Sequence, residues 1–208
     1  ETRVFPASYG SGSLTNHGGP QIAGAGFEAI YWNSDASNSR ETSLGFTGTL
    51  SDEINLFITR FSDSGNWDNS STDDYTIVQQ YGTGGTPISP FLVNSGFYVD
   101  SQPTSGSIQD SQIQNYLTSL FIRGKATATN YTLFGVYFPP GMAVLLQGGS
   151  SCSSFCGYHG HFLYNGIDVK YAAFPYLNCT ACKLSNLSVA DMLTIVTSHE
   201  IREAVTDP

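Results

Sequence analysis

Apolar residues recur along the chain in two spacings, one typical of buried strands and one typical of helices. Continuous or alternating apolar stretches predict strands at residues 27–32, 132–138, 142–146 and 168–174. Apolar residues three and four positions apart predict helices at 50–60 and 113–122, and a last helix after residue 188. Residues 75–81 fit a strand or a helix, 1–12 and 62–74 read as irregular, and 83–109 as strand and loop. This mixture predicts an α/β fold, with α+β as the alternative, in a single layered domain spanning 1–208.

The last helix has the clearest pattern. Ser188 and Asp191 form an S-x-x-D capping signature at its start. Its apolar residues then recur at helical spacing, at Val189, Met192, Leu193, Ile195 and Val196. The stripe predicts that one face of this helix packs on the core.

Composition narrows the class of protein. Only 12% of the 208 residues are charged, and the net charge is −9 with a pI near 4.6. Nucleic-acid binding needs a basic surface, so this acidic chain is not expected to bind nucleic acid. Apolar runs stay below the ~18 residues that a membrane-spanning helix requires, which predicts no membrane span. Few lysines and many Ser and Thr residues are typical of a secreted extracellular protein, whose signal peptide would already have been removed.

Four N-x-[ST] sequons support an extracellular location as glycosylation candidates, at Asn69, Asn130, Asn178 and Asn186. The four cysteines fall within a short Cys/His-rich subregion, 151–183, as Cys152, Cys156, Cys179 and Cys182. Two disulfides fit an oxidising compartment, while a structural zinc site with four cysteine ligands fits the C-x3-C and C-x2-C spacing. Disulfides are the favoured interpretation, and their pairing stays open.

The last helix also contains a candidate metal site. His199 and Glu203 are four positions apart and share a helical face that continues the apolar stripe. The pattern H-E-x-x-E resembles the H-E-x-x-H metallohydrolase motif. His199 and Glu203 are therefore expected to be ligands of a divalent metal, with zinc as the favoured ion, and Glu200 is expected to be the catalytic base. Asp207 is a further ligand candidate. The alternative is a solvated helix end in which His199 caps a neighbouring carbonyl.

Three other histidines are candidates for a third ligand or for substrate contact. His159 and His161 lie in a predicted Gly-flanked loop beside the cysteines, and on an extended segment they would share a face. His17 lies in a Gly-rich turn before the first strand. Each of the three also fits an ordinary loop or turn histidine.

Several of these motifs together resemble the exordium, or phosphate-induced protein, family of secreted, cell-wall-associated proteins. The shared features are H-G-G-P at 17–20, F-C-G-Y-H-G at 155–160, the C-x2-C pair and a terminal helix ending in T-D-P. The sequence S-H-E-I-R-E-A-V-T-D-P is similar to the microbial branch, and plant members lack this His and these Glu residues. Relatives in the family continue for several tens of residues beyond T-D-P. The resemblance therefore implies one of two alternatives: the chain was trimmed, or it pairs with a C-terminal fragment of the same precursor that could hold a third ligand.

These observations lead to two hypotheses. The first is a secreted, zincin-like, metal-dependent hydrolase that acts on peptide or cell-wall material, with strand 168–174 as the sheet edge that holds the substrate. The second is a non-catalytic extracellular cell-wall or glycan-binding protein of exordium type, with Trp67, Tyr75 and Tyr81 as exposed aromatic contacts. Metal analysis separates them, because only the first requires a bound ion.

Overall fold

The computed structural model describes residues 21–62, 75–82 and 87–206, and it has a mixed α/β fold. The strands are β1 (Gly26–Tyr31), β2 (Val93–Val99), β3 (Ser107–Gln109), β4 (Thr132–Tyr137), β5 (Ala143–Leu146), β6 (Gly149–Ser150), β7 (Tyr158–Tyr164) and β8 (Ile167–Phe174). The helices are α1 (Ser34–Ser37), α2 (Leu50–Ser62), α3 (Asp110–Ile122) and α4 (Val189–Thr206), and a 3-10 helix covers Thr76–Tyr81.

The central sheet has five strands in the order β2-β1-β4-β8-β7. The first four strands are parallel, and β7 runs antiparallel to β8. A smaller sheet has the order β3-β5-β6. Parallel strands in the middle of a sheet are covered on both faces, which explains why β4 is buried along its whole length and reads as a continuous apolar run.

Each face of the central sheet carries its own apolar core. On one face, Phe27, Tyr31 and Phe174 pack with residues of α2 and α4. On the other face, Phe134 and Val169 pack with residues of α3 and of the small sheet. The alternation of side chains along a strand sends neighbouring residues to opposite cores. The protein is therefore three layers deep at its centre, with α4 directly over one face.

Most of the predicted elements are confirmed. The helices at 50–60 and 113–122 correspond to α2 and α3, and the capped helix after 188 corresponds to α4. The predicted cap is present, because Ser188 N donates to Asp191 Oδ2 at 2.8 Å and Asp191 N donates to Ser188 Oγ at 3.0 Å. The undecided stretch 75–81 is mainly a 3-10 helix.

Two predictions about position are wrong. Strand 168–174 is not at the sheet edge, because β8 lies between β4 and β7. The alternation in its sequence reflects contact with two different cores rather than one solvated face. The helical spacing puts Ile195 in the apolar stripe, but this residue is 38% exposed while Met192 and Val196 are buried. The buried face of α4 is therefore rotated away from Ile195.

Candidate functional site

Helix α4 brings three of the predicted residues, His199, Glu200 and Glu203, to the side of the central sheet that ends in β7. The helix packs on β7 and β8 through the face that contains Val196, Glu200 and their neighbours. Glu200 is only 4% exposed, whereas His199 and Glu203 are half-buried. A carboxylate as buried as that of Glu200 is costly unless a cation or hydrogen-bond donors compensate it.

The compensating group comes from β7, a strand in a stretch where the sequence predicts a Gly-flanked loop. β7 and β8 form a hairpin whose turn residues, Asn165 and Gly166, have φ angles of 49° and 81°. Asn-Gly with both residues at positive φ is the most favourable two-residue hairpin turn, so this dipeptide is the signal that could have revealed the strand. The hairpin places His159 opposite Ala172, on the sheet face that α4 covers.

His159, Glu200 and Glu203 form the centre of the site. Nδ1 of His159 lies 2.9 Å from Oε2 of Glu200 and 3.7 Å from Oε2 of Glu203. Each of these three residues offers one atom that could bind a metal, and these three atoms all lie within 4.8 Å of one another. Nε2 of His199 approaches the same Oε2 of Glu203 at 3.3 Å. We call these four residues the His/Glu cluster.

The His/Glu cluster combines two carboxylates with two imidazoles. The hydrogen bond to Glu203 raises the pKa of His199, burial of the ring opposes this, and the charges of Glu203 and Glu200 add to the increase. Because each imidazole lies beside a carboxylate, either protonation of the rings or a bound cation can balance the negative charge. The arrangement therefore favours positive charge at this point on the surface of α4.

Gly157 allows β7 and α4 to approach closely enough for these contacts. A Cβ atom at this position would lie 2.5 Å from Cγ1 of Val196 and 3.5 Å from Oε1 of Glu200. The absence of a side chain therefore sets the spacing between the strand and the helix, two residues before His159.

Two disulfides lie close to this contact in sequence. Cys152 is bonded to Cys179, and Cys156 to Cys182. They join the segment before β7 to the segment before α4, so the two elements that supply the His/Glu cluster are tied together. The disulfide interpretation is supported, and the pairing that the sequence left open is resolved.

The remaining candidate residues are elsewhere. His161 is exposed, with its Nδ1 2.8 Å from Oδ1 of Asp168, whose Oδ2 lies 2.8 Å from Nζ of the buried Lys170. It therefore belongs to a different ion-pair group. The predicted residues His17, Asn69 and Asp207 and the aromatic Trp67 lie outside the described residues. The other three sequons, at Asn130, Asn178 and Asn186, are exposed.

Of the aromatic residues named in the binding-protein hypothesis, Tyr75 and Tyr81 lie in the described part of the chain, and neither is fully exposed. Tyr75 is 0% exposed in the core, where its ring meets the edge of Phe61 at 5.5 Å between centroids. Tyr81 is half-buried and packs against the same core. Tyr75 is therefore unavailable to an external glycan.

Comparisons with protein-family models, with curated proteins and with solved structures gave no match for this chain. Within the described part of the chain, helices of the length and apolar character needed to cross a membrane are absent. The function is therefore inferred from the geometry of the His/Glu cluster.

Proposed function

We propose that this protein is a metal-dependent hydrolase whose divalent cation is held by His159, Glu200 and Glu203. Zinc is the favoured cation. The observation that carries the proposal is the convergence of one imidazole and two carboxylates within 4.8 Å, at a place where one carboxylate is buried. One nitrogen and two oxygen ligands are of the types that catalytic zinc sites use, with a further coordination position left for water or substrate.

The donor chemistry fits a divalent cation. A buried carboxylate facing a second carboxylate across an imidazole needs positive charge, and a cation supplies it without requiring both rings to be protonated. When bound, the cation would supply Lewis-acid polarisation and a nucleophile at neutral pH. His199 would orient Glu203 through its 3.3 Å contact, as partners of ligating side chains commonly do.

This proposal changes the role of Glu200. The sequence hypothesis makes it the catalytic base and makes His199 a ligand. The burial of Glu200 and its 2.9 Å contact with His159 favour a ligand instead, because a base must reach the substrate side of the site. The two assignments give opposite results in one variant: Glu200→Gln keeps the metal if Glu200 is a base and weakens metal binding if it is a ligand.

The neighbouring strand supports an extended peptide as substrate. Among the described residues, no strand pairs with the outer edge of β7, and His159 lies near its start. A peptide that adds to such an edge gains main-chain hydrogen bonds and passes directly beside the His/Glu cluster. We further propose that the helix and the antiparallel edge strand are arranged as in zincins. We also propose that the protein is secreted and belongs to the microbial exordium-like branch.

The first test is metal binding. Zinc or cobalt added to the metal-depleted, oxidised protein should bind at one equivalent, measured by calorimetry and by elemental analysis after gel filtration. His159→Ala should abolish this binding, and Glu200→Gln should weaken it at least tenfold. His161→Ala is the matched control, because it removes the other β7 histidine, which is paired with Asp168, and it should bind like the parent protein.

The second test is hydrolysis. The zinc-loaded protein should cleave members of a mixed peptide library, detected by mass spectrometry, and a chelator should stop the cleavage. Absence of stoichiometric metal binding would refute the whole proposal. Metal binding without cleavage of peptides or of cell-wall fragments would refute the hydrolase and leave a metal-binding protein.

A further inference from the structure

The sulfur atoms of the two disulfides are gathered in one place. The Sγ atoms of Cys152, Cys179 and Cys182 all lie within 4.8 Å of one another, and Cys156 is bonded to Cys182. Zn–S bonds of about 2.3 Å in a tetrahedron place neighbouring sulfurs about 3.8 Å apart. Three of the four sulfurs are therefore already gathered about as closely as the ligands of a zinc site, and the fourth is bonded to one of them.

The cysteines form two pairs of neighbours in sequence, Cys152 with Cys156 and Cys179 with Cys182. Backbone hydrogen bonds hold each of these pairs in a turn that does not depend on the disulfide bonds. Cys182 N and Lys183 N donate to the carbonyl of Cys179 at 3.1 and 2.9 Å. In the other pair, Cys152 N donates to the carbonyl of Phe155 at 2.9 Å. Such hydrogen bonds keep both sulfurs of a pair near each other when the S–S bonds are broken. The C-x3-C and C-x2-C spacings are those that structural zinc sites use.

We propose that these four cysteines bind one Zn²⁺ when both disulfides are reduced, so that the segments before β7 and α4 are joined by two disulfides or by one ion. A dithiol reductant transfers two electrons and two protons to each disulfide, which gives two thiols and the oxidised, disulfide form of the reductant. Zn²⁺ then displaces four protons as it binds four thiolates. Two equivalents of a disulfide oxidant reverse the sequence. They take four electrons from the four thiolates and four protons from water, both S–S bonds reform, the oxidant is reduced to thiols, and the ion is released.

Three of the four cysteines lie within or against the apolar core. Cys182 is 6% exposed, and Cys156 and Cys179 pack against the apolar core of the α2/α4 face. Soft thiolate ligands in such a setting select zinc over magnesium or calcium. The ion would keep the strand that carries His159 attached near α4 under reducing conditions. This site is separate from the His/Glu cluster and does not depend on the proposed hydrolase activity.

Cobalt binding tests this proposal on the full chain carrying His159→Ala, which removes the central imidazole of the His/Glu cluster. The protein is reduced with a phosphine, which becomes the phosphine oxide by taking oxygen from water, and is then titrated with Co²⁺. We expect one equivalent of Co²⁺ with thiolate-to-cobalt charge-transfer absorption, displaced by one equivalent of Zn²⁺. The oxidised protein should give no such absorption. Equal cobalt spectra for the reduced and oxidised proteins would overturn the proposal.

Variants and a folding measurement complete the test. Cys152→Ser should weaken Co²⁺ binding by the reduced protein at least tenfold, while Thr180→Ser, an exposed change between Cys179 and Cys182, should not. In the His159→Ala chain, Zn²⁺ should raise the thermal midpoint of the reduced protein and leave that of the oxidised protein unchanged. If the reduced chain is unfolded by circular dichroism and Zn²⁺ does not restore its structure, the proposal is wrong.

Discussion

Gly157→Ala should separate β7 from α4 and so disrupt the His/Glu cluster without changing any of its residues. The added Cβ would lie 2.5 Å from Cγ1 of Val196, whereas two carbon atoms in ordinary contact lie ~3.5–4.0 Å apart. The strand or the helix must therefore move by about 1 Å. The backbone of Gly157 does not have a positive φ, so the effect comes from this contact rather than from backbone strain.

The expected cost follows from the packing on both sides. Val196 is 8% exposed and belongs to the α2/α4 core, and the carbonyl of Ala173 would lie 3.4 Å from the new Cβ on the sheet side. Overpacking of this kind lowers the free energy of unfolding by about 1–3 kcal/mol. The same movement lengthens the 2.9 Å contact between His159 and Glu200, so cobalt binding should weaken as well.

Urea unfolding followed by circular dichroism measures the change, with two controls. Gly106→Ala adds a Cβ that meets nothing within 4 Å, and it should be neutral or stabilise by about 0.4–1 kcal/mol through the unfolded state. Val196→Ala removes the opposing methyl groups and should by itself cost about 2 kcal/mol. In the double variant the new methyl group occupies the vacated space, so the combined cost should fall short of the sum by about 1 kcal/mol or more.

Two outcomes would refute this reasoning. Gly157→Ala could be as stable as Gly106→Ala, which would mean that strand and helix separate at no cost. Alternatively, the costs of Gly157→Ala and Val196→Ala could add, which would mean that the two positions do not press on each other.

Three further predictions concern contacts away from the cluster. Burial opposes ionisation of Asp100, but hydrogen bonds from Arg123, Gln102 and the Ser101 amide outweigh it and lower the Asp100 pKa to about 2. The ionised Asp100 then adds about 2 kcal/mol to the free energy of unfolding above pH 4, and this contribution is lost as the pH falls through 2. In Asp100→Asn the free energy of unfolding, measured with urea, should depend less on pH over this range. The hydroxyls of Tyr137 and Thr197 form a buried hydrogen bond of 2.9 Å. Thr197→Val should lower the free energy of unfolding by about 1–3 kcal/mol, measured by chemical denaturation, because it leaves the Tyr137 hydroxyl without this partner. The same change should cost less in a Tyr137→Phe background. Thiol titration of the denatured, unreduced protein should find no free thiol among the four cysteines, and even one per chain would contradict the pairing.

Part of the site was predictable because it depends on short stretches of chain. The cap of α4 needs Ser188 and Asp191 three positions apart, and the shared face of His199 and Glu203 follows from the helical repeat. The apolar run of β4 likewise predicts a strand buried on both faces. These features depend on residues within a few positions of one another, so the sequence carries them directly.

The strand that completes the site was not predictable in the same way. Y-H-G-H-F-L-Y in β7 mixes polar and aromatic residues because its two faces meet different surroundings, the His/Glu cluster on one side and the α3 core on the other. Its Asn165-Gly166 turn identifies a hairpin, but not which of the two strands lies at the edge. That depends on whether β7 or β8 pairs with β4, which is a contact between distant segments.

The sequence by itself therefore determined most elements of this protein, the amphipathic last helix and the residue types able to bind a metal. The tertiary structure decided which of those residues meet: His159 rather than His161 contacts α4, and Glu200 is the buried carboxylate. The physical reason is that a strand or a helix sets the direction of its own side chains through local geometry. The partner opposite each side chain depends on strand order and on close approach at positions such as Gly157, which the packing of the whole chain fixes.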